Sequence, residues 1–400
     1  MSKWEEKRLE DIIDVNPPVE LKKGESYPFI DIDKVSPTRR SVTNEEVKVY
    51  NGQSSSKFCD GDTVFSRITP CLENRKIAKV AIEGDAAFGS TEFYVFRAKK
   101  KKADARFTYY LTSSDAVVLP AINSMTGASG RQRADKRFIQ RLKLNLPDLP
   151  TQERIADILS AYDDLIEVNN RRIELLEQAA QELYKEWFVR FRFPGYENAK
   201  FEDGIPEGWE QDKIQKYYNT CSGGTPSRSK PEYFENGVYP WVKTGEIKDC
   251  VIIDTEEYIT QEAVNNSSAK VLPAKSVAMA MYGVNIGLLA YFDSEMTCNQ
   301  ACCVFSDKRD FSSKHYLYYY LKSIREYLLL ISFGAAQQNL SQDLIKKIKI
   351  TMPSDDIVQA FEKQIDDVYD SIRILLMKNK NYVEQRDMLL PRLMSGKLEV

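Results

Sequence analysis

Residues 149–187 read "LPTQERIADILSAYDDLIEVNNRRIELLEQAAQELYKEW", and their spacing decides the architecture. Leu159, Tyr162, Ile166, Asn169, Ile173, Leu176, Ala180, Leu183 and Trp187 follow at alternating steps of three and four. That is the seam of a helix packed on a second helix, with Asn169 as a polar residue able to fix the register. The second helix is supplied near the other end of the chain. Phe361, Ile365, Val368, Ile372, Leu375, Asn379, Tyr382, Arg386, Leu389 and Leu393 keep the same rhythm, with Asn379 and Arg386 as polar interruptions. The pattern predicts long helices over 151–193 and 354–400, paired as an antiparallel coiled coil. The first would be roughly 60 Å long at about 1.5 Å per residue.

Working outward from these helices, the segments before them also match. Trp4 in "KWEEKRLEDI" corresponds to Trp209 in "GWEQDKIQKY", 205 residues on. "FYVFRAKK" corresponds to "CCVFSDKR" at an offset of 209, and "RFIQRLKLNLP" to "DLIKKIKITMP" at 206. "LLEQ" corresponds to "YVEQ" at 207. Offsets this constant imply duplication of a whole module rather than a short solenoid repeat. Each module opens with short β-rich runs: "YPFIDIDKV", "GDTVFSRI", "KIAKVAI" and "TEFYVFRA" in the first, "YPWVKTGEI", "KSVAMAMY", "IGLLAYF" and "ACCVF" in the second. One short helix follows in each, "RFTYYLTSSDAVVLPAI" and "HYLYYYLKSIREYLLLI", then a last strand. The expected fold is α+β. A β-rich unit (1–150) leads into the first long helix (151–193). A punctuated loop and a second β-rich unit (194–353) lead into the second helix and tail (354–400). Two β units joined by paired helices and related by a pseudo-two-fold suit a protein that straddles two half-sites on a duplex.

Composition narrows the function. The 400 residues are 42% hydrophobic and 29% charged, enough for real cores. No apolar run approaches a membrane span and no signal core is present, so an intracellular protein is expected. The seven cysteines include no C-x-x-C pair, and Cys302 and Cys303 sit in the apolar "QACCVF", so no metal site is expected. The one histidine, His315, removes most histidine-based catalysis and reads as structural. Net charge is −3 overall, yet residues 1–150 carry 26 Lys/Arg against 21 Asp/Glu. Whole-chain charge therefore does not exclude a nucleic-acid face.

Catalytic motifs are weak. "NPPV" (16–19) looks like the loop with which DNA amino-methyltransferases grip a flipped base, but Val19 stands where an aromatic ring would stack. No Gly-rich strand-to-helix turn is present to hold a methyl donor, no Walker loop, and no nuclease carboxylate–lysine pattern. The stretch reads better as a proline-stiffened turn.

Binding loops are stronger. "SRITPCLENRK" carries Arg67, Thr69, Asn74, Arg75 and Lys76, and "GSTEF" carries Ser90, Thr91 and Glu92. "TGASGRQRADKRFIQRLK" adds Ser129, Arg131, Gln132 and Arg133. The second module offers Thr225, Ser227, Arg228 and Lys230, then Lys243 and Thr244, then Tyr282 and Asn285, and finally Gln337, Gln338 and Asn339. These residue types hold phosphates and read base edges, and they recur in matching places of both modules. "RAKKKKADAR" (97–106) reads equally as a solvated turn or a phosphate-binding patch. Two other readings stay open at this point: a self-sufficient DNA methyltransferase, and a coiled-coil adaptor whose β units bind protein.

The stretches "DGDTVFSRITPCLENRKIAKV", "GSTEFYVFR", "LPTQERIADILSAYDDLIEVNNRRI", "LYKEWFVRFRFPGYE", "IPEGWE", "GGTPS", "ENGVYPWVKTGEI" and "LLPRLMSGKLE" together cover nearly the whole chain. In them the chain resembles the specificity subunits of type I restriction-modification systems. One departure is "MPSDDIVQAFEKQI", which lacks the Pro-x-Gln-Glu that opens the first helix. The resemblance implies a non-catalytic subunit in the prokaryotic cytoplasm. Each β unit would be a target recognition domain for half of a bipartite double-stranded DNA site. Two methyltransferase subunits would dock on the helices, and restriction/translocase subunits would join through them. This chain would bind no cofactor, and S-adenosylmethionine, ATP and Mg would belong to the partners.

Overall fold

The computed structural model describes residues 4–43, 46–128, 130–332 and 339–400. It divides into two compact units, Met1–Val168 with Asn379–Val400, and Asn169–Lys378.

In the first unit the strands alternate large apolar residues between two faces of a five-stranded sheet. Its order is Ile13–Val15, Phe93–Ala98, Thr63–Ser66, Ile77–Ala81, Ser41–Thr43. All neighbours are antiparallel except the last pair, Ser41–Thr43 on Ile77–Ala81. Phe65, Tyr94 and Phe96 face helices, packing on Phe107, Leu111 and Val117 and on Ile155, Leu159 and Leu393 of the long helices. Val64, Phe93 and Val95 face the other way, toward Ile30, Phe58 and Val80. A second sheet runs Glu46–Val49, Ser26–Ile30, Ala87–Gly89, Ser56–Phe58. Its parallel pairing of Phe29 with Phe88 brings backbones so close that a Cβ on Gly89 would lie 2.0 Å from the Ile30 carbonyl oxygen. An antiparallel ribbon, Trp4–Arg8 on Lys143–Pro147, closes the unit.

The second unit repeats this topology. Its five-stranded sheet runs Tyr218–Ser222, Cys302–Asp307, Val277–Ala280, Leu289–Phe292, Cys250–Ile252, again with one parallel pair at the far edge. The ribbon recurs as Glu210–Lys213 on Lys349–Met352. The second sheet is shorter, with Trp241 paired in parallel to Thr297.

Each single short helix expected after the strands is two helices. Ala105–Ser113 breaks at Ser114, which is extended and stands directly before Asp115–Asn123. Lys314–Ser323 breaks at Ile324 before Arg325–Ser332. Neither break has a proline or glycine to announce it. The His315 ring is fully buried between Tyr291 and Tyr369 and bonds Asp366 through Nε2 at 3.0 Å.

The first long helix runs Leu149–Tyr184 and continues as a π-helical turn, Lys185–Val189. Asp148 starts it by accepting the Thr151 N–H. The second runs Asp355–Met394. It lacks the first helix's opening sequence, but Asp355 and Asp356 place negative charge in its first turn, where the helix dipole favours it. Within the first unit Tyr162 meets Tyr382, and Asp163 meets Arg386. Within the second, Leu175 and Leu176 lie with Ile374 and Leu375, while Trp187 reaches Phe361. Rising numbers on one helix meet falling numbers on the other, so the pairing is antiparallel. Leu159, Ile166, Asn169, Ile173, Ile365, Ile372 and Asn379 are buried, and Tyr162, Leu176, Val368 and Leu375 half-buried, as the seam requires.

Candidate nucleic-acid interface

In the first unit the loop after Thr63–Ser66 and the loop 124–134 are stitched together. Ile68 bridges Arg133, the Thr69 N–H donates to the Gln132 carbonyl, and the Gln132 N–H donates back to Thr69 Oγ1 at 3.1 Å. The Ala134 N–H donates to the Arg67 carbonyl. Gly127, with φ +126°, lets this second loop turn back: a Cβ there would press on the Arg131 carbonyl.

This stitching gathers charge on one carboxylate. Glu92 accepts two bonds from the Arg133 fork, at 2.9 and 2.6 Å, and one from Arg67 Nε at 3.2 Å. The Arg133 bond, with Arg67 beside it, holds the Glu92 carboxyl below the usual range, against a partial burial that works the other way. Arg67 also lies over the Tyr94 ring. Ser90 Oγ accepts the Glu92 N–H. Arg67, Thr69, Ser90, Gln132 and Arg133 therefore form one surface. Thr91 and Arg131 are exposed near it in sequence, and Arg131 makes no ion pair among the described residues. Ser129 lies outside the described residues.

The rest of the first loop serves elsewhere. Arg75 turns to Asp115 and the Ser113 carbonyl, and Lys76 Nζ bonds the Ile32 carbonyl at 3.0 Å. Asn74 is exposed. In "RAKKKKADAR", Arg97 forks onto buried Asp62 and Lys99 bonds the Glu10 carbonyl, leaving Lys100, Lys101 and Lys102 exposed. Asn16 of "NPPV" adopts φ +57° and accepts the Val95 N–H at the edge of the sheet, so that stretch is a turn.

The second unit builds a comparable surface from different residues. The Met281 N–H donates to the Ala301 carbonyl, and the Leu340 N–H, next to Asn339, donates to the Met281 carbonyl. Thr225 bonds Gln300, the neighbour of Ala301. Asn285 Nδ2 donates to the carbonyls of Thr244 at 2.9 Å and Ile247 at 3.1 Å. Thr225, Thr244, Tyr282, Asn285 and Asn339 thus converge. Gln337 and Gln338 lie outside the described residues. Arg228 lies over Phe234 and Trp241 and bonds Glu257 at 2.6 Å. Lys243 reaches Glu256 and Glu257. Arg228 chiefly, then Lys243, lowers the Glu257 pKa. Ser227 pairs with Ser229, and Lys230 bonds the Tyr233 hydroxyl. Glu256, Glu257 and Gln300 carry no signal in the sequence, since nothing local marks a side chain that closes on a partner many residues away.

Each surface is a hydrogen-bonded loop cluster on a sheet end, presenting guanidinium, amide and hydroxyl groups with an aromatic ring under an arginine. Such groups can grip phosphates and read base edges. Among the described residues no group of histidine, cysteine or acidic side chains could hold a metal ion. On the helices, half-exposed Leu175 and Ile374 line a shallow pocket with Arg172, Leu176, Ser371 and Leu375.

The model of the type I restriction modification DNA specificity domain matches residues 1–178 and again 206–385. A type I restriction enzyme specificity subunit of Haemophilus influenzae (HindI) is 27% identical over 419 residues, covering 88% of this chain and 90% of that protein. One from Methanocaldococcus jannaschii (MjaIX) is 24% identical, covering 99% and 94%. The crystal structure of a type I restriction-modification S subunit from M. genitalium superposes with a TM-score of 0.56 at 14% identity, covering 98% and 96%, and so shares the fold. The chain belongs to the type I restriction modification DNA specificity family, whose domain it carries twice.

Proposed function

We propose that this protein is the DNA-reading subunit of a type I restriction-modification system, each unit recognising one half of a bipartite double-stranded target. The observation that carries the reading is the repetition of a polar loop cluster at the same end of the same sheet topology in both units. Arg67 and Arg133 suit guanine edges or phosphates, and Asn339 suits adenine. The long helices would carry the partners: two methyltransferase subunits, with restriction/translocase subunits joining through them. Leu175 and Ile374 are apolar side chains left open for such docking. Methyl transfer and cleavage, with S-adenosylmethionine, ATP and Mg, would reside in those partners, in the prokaryotic cytoplasm.

The test is to express the chain with its methyltransferase and sequence the methylated bases. A split motif is expected, one half of which changes when residues 1–150 are exchanged for those of a relative. An undivided motif, or one indifferent to the exchange, overturns the reading. Calorimetry of the isolated chain with S-adenosylmethionine is the complementary check, and saturable binding would assign methyl transfer to this chain.

A further inference from the structure

The turn 282–287 of the second unit holds the most exposed large apolar side chain among its described residues. Val284 is 100% exposed and Tyr282 beside it is 39% exposed. A fully solvated valine is ordinary on a floppy loop, but this turn is anchored at its base. Gly283 and Gly287 take φ of +78° and +77°, which forces the chain out and back. The Ile286 N–H donates to the Gly283 carbonyl and the Gly287 N–H to the Ala280 carbonyl. Asn285 ties the turn to the loop 244–247, and Arg325, itself held by Asp249, donates Nε–H to the Gly287 carbonyl at 3.2 Å. The apolar tip therefore stands on a tethered base, and that base is the residue set that forms the second candidate interface.

Valine presents two small methyl groups at the end of a short side chain. Their size suits the one apolar feature of the major groove, the C5-methyl of thymine. The structure assigns Val284 as a specificity-determining contact that recognises a thymine methyl in the half-site read by the second unit. The hydrogen-bonding groups around it, Tyr282, Thr244 and Asn339, would read neighbouring edges. The assignment rests on the DNA-reading function proposed above. Burying about one methyl group between the two partners is worth about fourfold in affinity.

The experiment uses the full chain in complex with its methyltransferase, and duplexes of the methylated motif in which each thymine in turn is replaced by deoxyuridine. For the native complex, one replacement in the second unit's half-site should weaken binding about fourfold. Val284→Ser should bind the thymine duplex about fourfold more weakly and be indifferent to that replacement. Val284 touches no core, so the variant folds. The inference is overturned if no replacement matters, if the half-site has no A·T pair, or if V284S keeps the thymine preference. It is equally overturned if V284S leaves DNA affinity intact and instead weakens methyltransferase binding. Absence of any sequence-specific binding by the native complex would sink the underlying reading instead, so the two failures are distinguishable.

Discussion

Asp163 in the first unit is nearly inaccessible, its side chain 3% exposed, and carries a charge that the fold must balance. It accepts the Tyr110 hydroxyl at 2.5 Å and Arg386 at 2.6 Å, the latter from the opposite long helix. Asp163→Asn keeps the shape and removes the charge. Arg386 would then keep only the exposed Asp387. Breaking a buried pair on one side costs about 3–5 kcal/mol. Because Arg386 retains some solvent and that second acid, the expected loss is about 3 kcal/mol. Removing both charges together, as D163N with R386M, should cost far less, about 1 kcal/mol for the Tyr110 hydroxyl's bond to a neutral acceptor. The signature is thus a coupling energy of at least about 2 kcal/mol between positions on different helices. Urea denaturation of the full chain at pH 7, followed by circular dichroism, measures it. If D163N costs under about 0.5 kcal/mol, or if the single costs simply add, the pair does not hold the helices in register and the reasoning fails.

Three other outcomes are expected. Glu362 is buried, accepts the His315 and Tyr316 N–H groups, and is pushed up by burial to a pKa of about 7. A raised carboxyl pKa favours the fold below about 4.5 and loses that advantage as pH rises through 7. Glu362→Gln should therefore gain up to about 3 kcal/mol on the native protein between pH 5 and pH 8, seen as a flatter alkaline limb of Tm against pH. The His315 pKa is lowered to about 4, first by burial, so its contribution is present above about 6.5 and lost as pH falls through 4. His315→Gln should flatten the acid limb, and an unchanged limb would refute the buried neutral imidazole. Glu92→Gln frees Arg67 and Arg133 to meet phosphate. The log–log salt slope of DNA binding should steepen by about one while discrimination between sequences falls, and a rise in discrimination would contradict Glu92 as the residue that positions them.

Arg386 shows how far the sequence could be read. Its place at a seam position was visible in the three-four rhythm, because helix periodicity is a local property. That its partner is Asp163, one step off the opposing seam, was not visible, because the choice depends on the register between helices. The same boundary runs through both candidate interfaces. The duplication, the strands and the loops rich in arginine and amide groups are written in short stretches. Arg67 and Arg133 meet Glu92 across 25 and 41 residues, and Glu257 gathers Arg228 and Lys243 across 29 and 14. Counting charges along the chain therefore overstates what either surface offers to phosphate, since a fixed acid already occupies each pair of cations. For a DNA reader that occupation has a consequence. A base-edge acceptor would have to displace or share the glutamate's bonds, so a poorly matched base would leave the arginine with its old partner. In the proposed DNA reader, the acid that offsets the positive charge would thereby make binding depend on which base is offered.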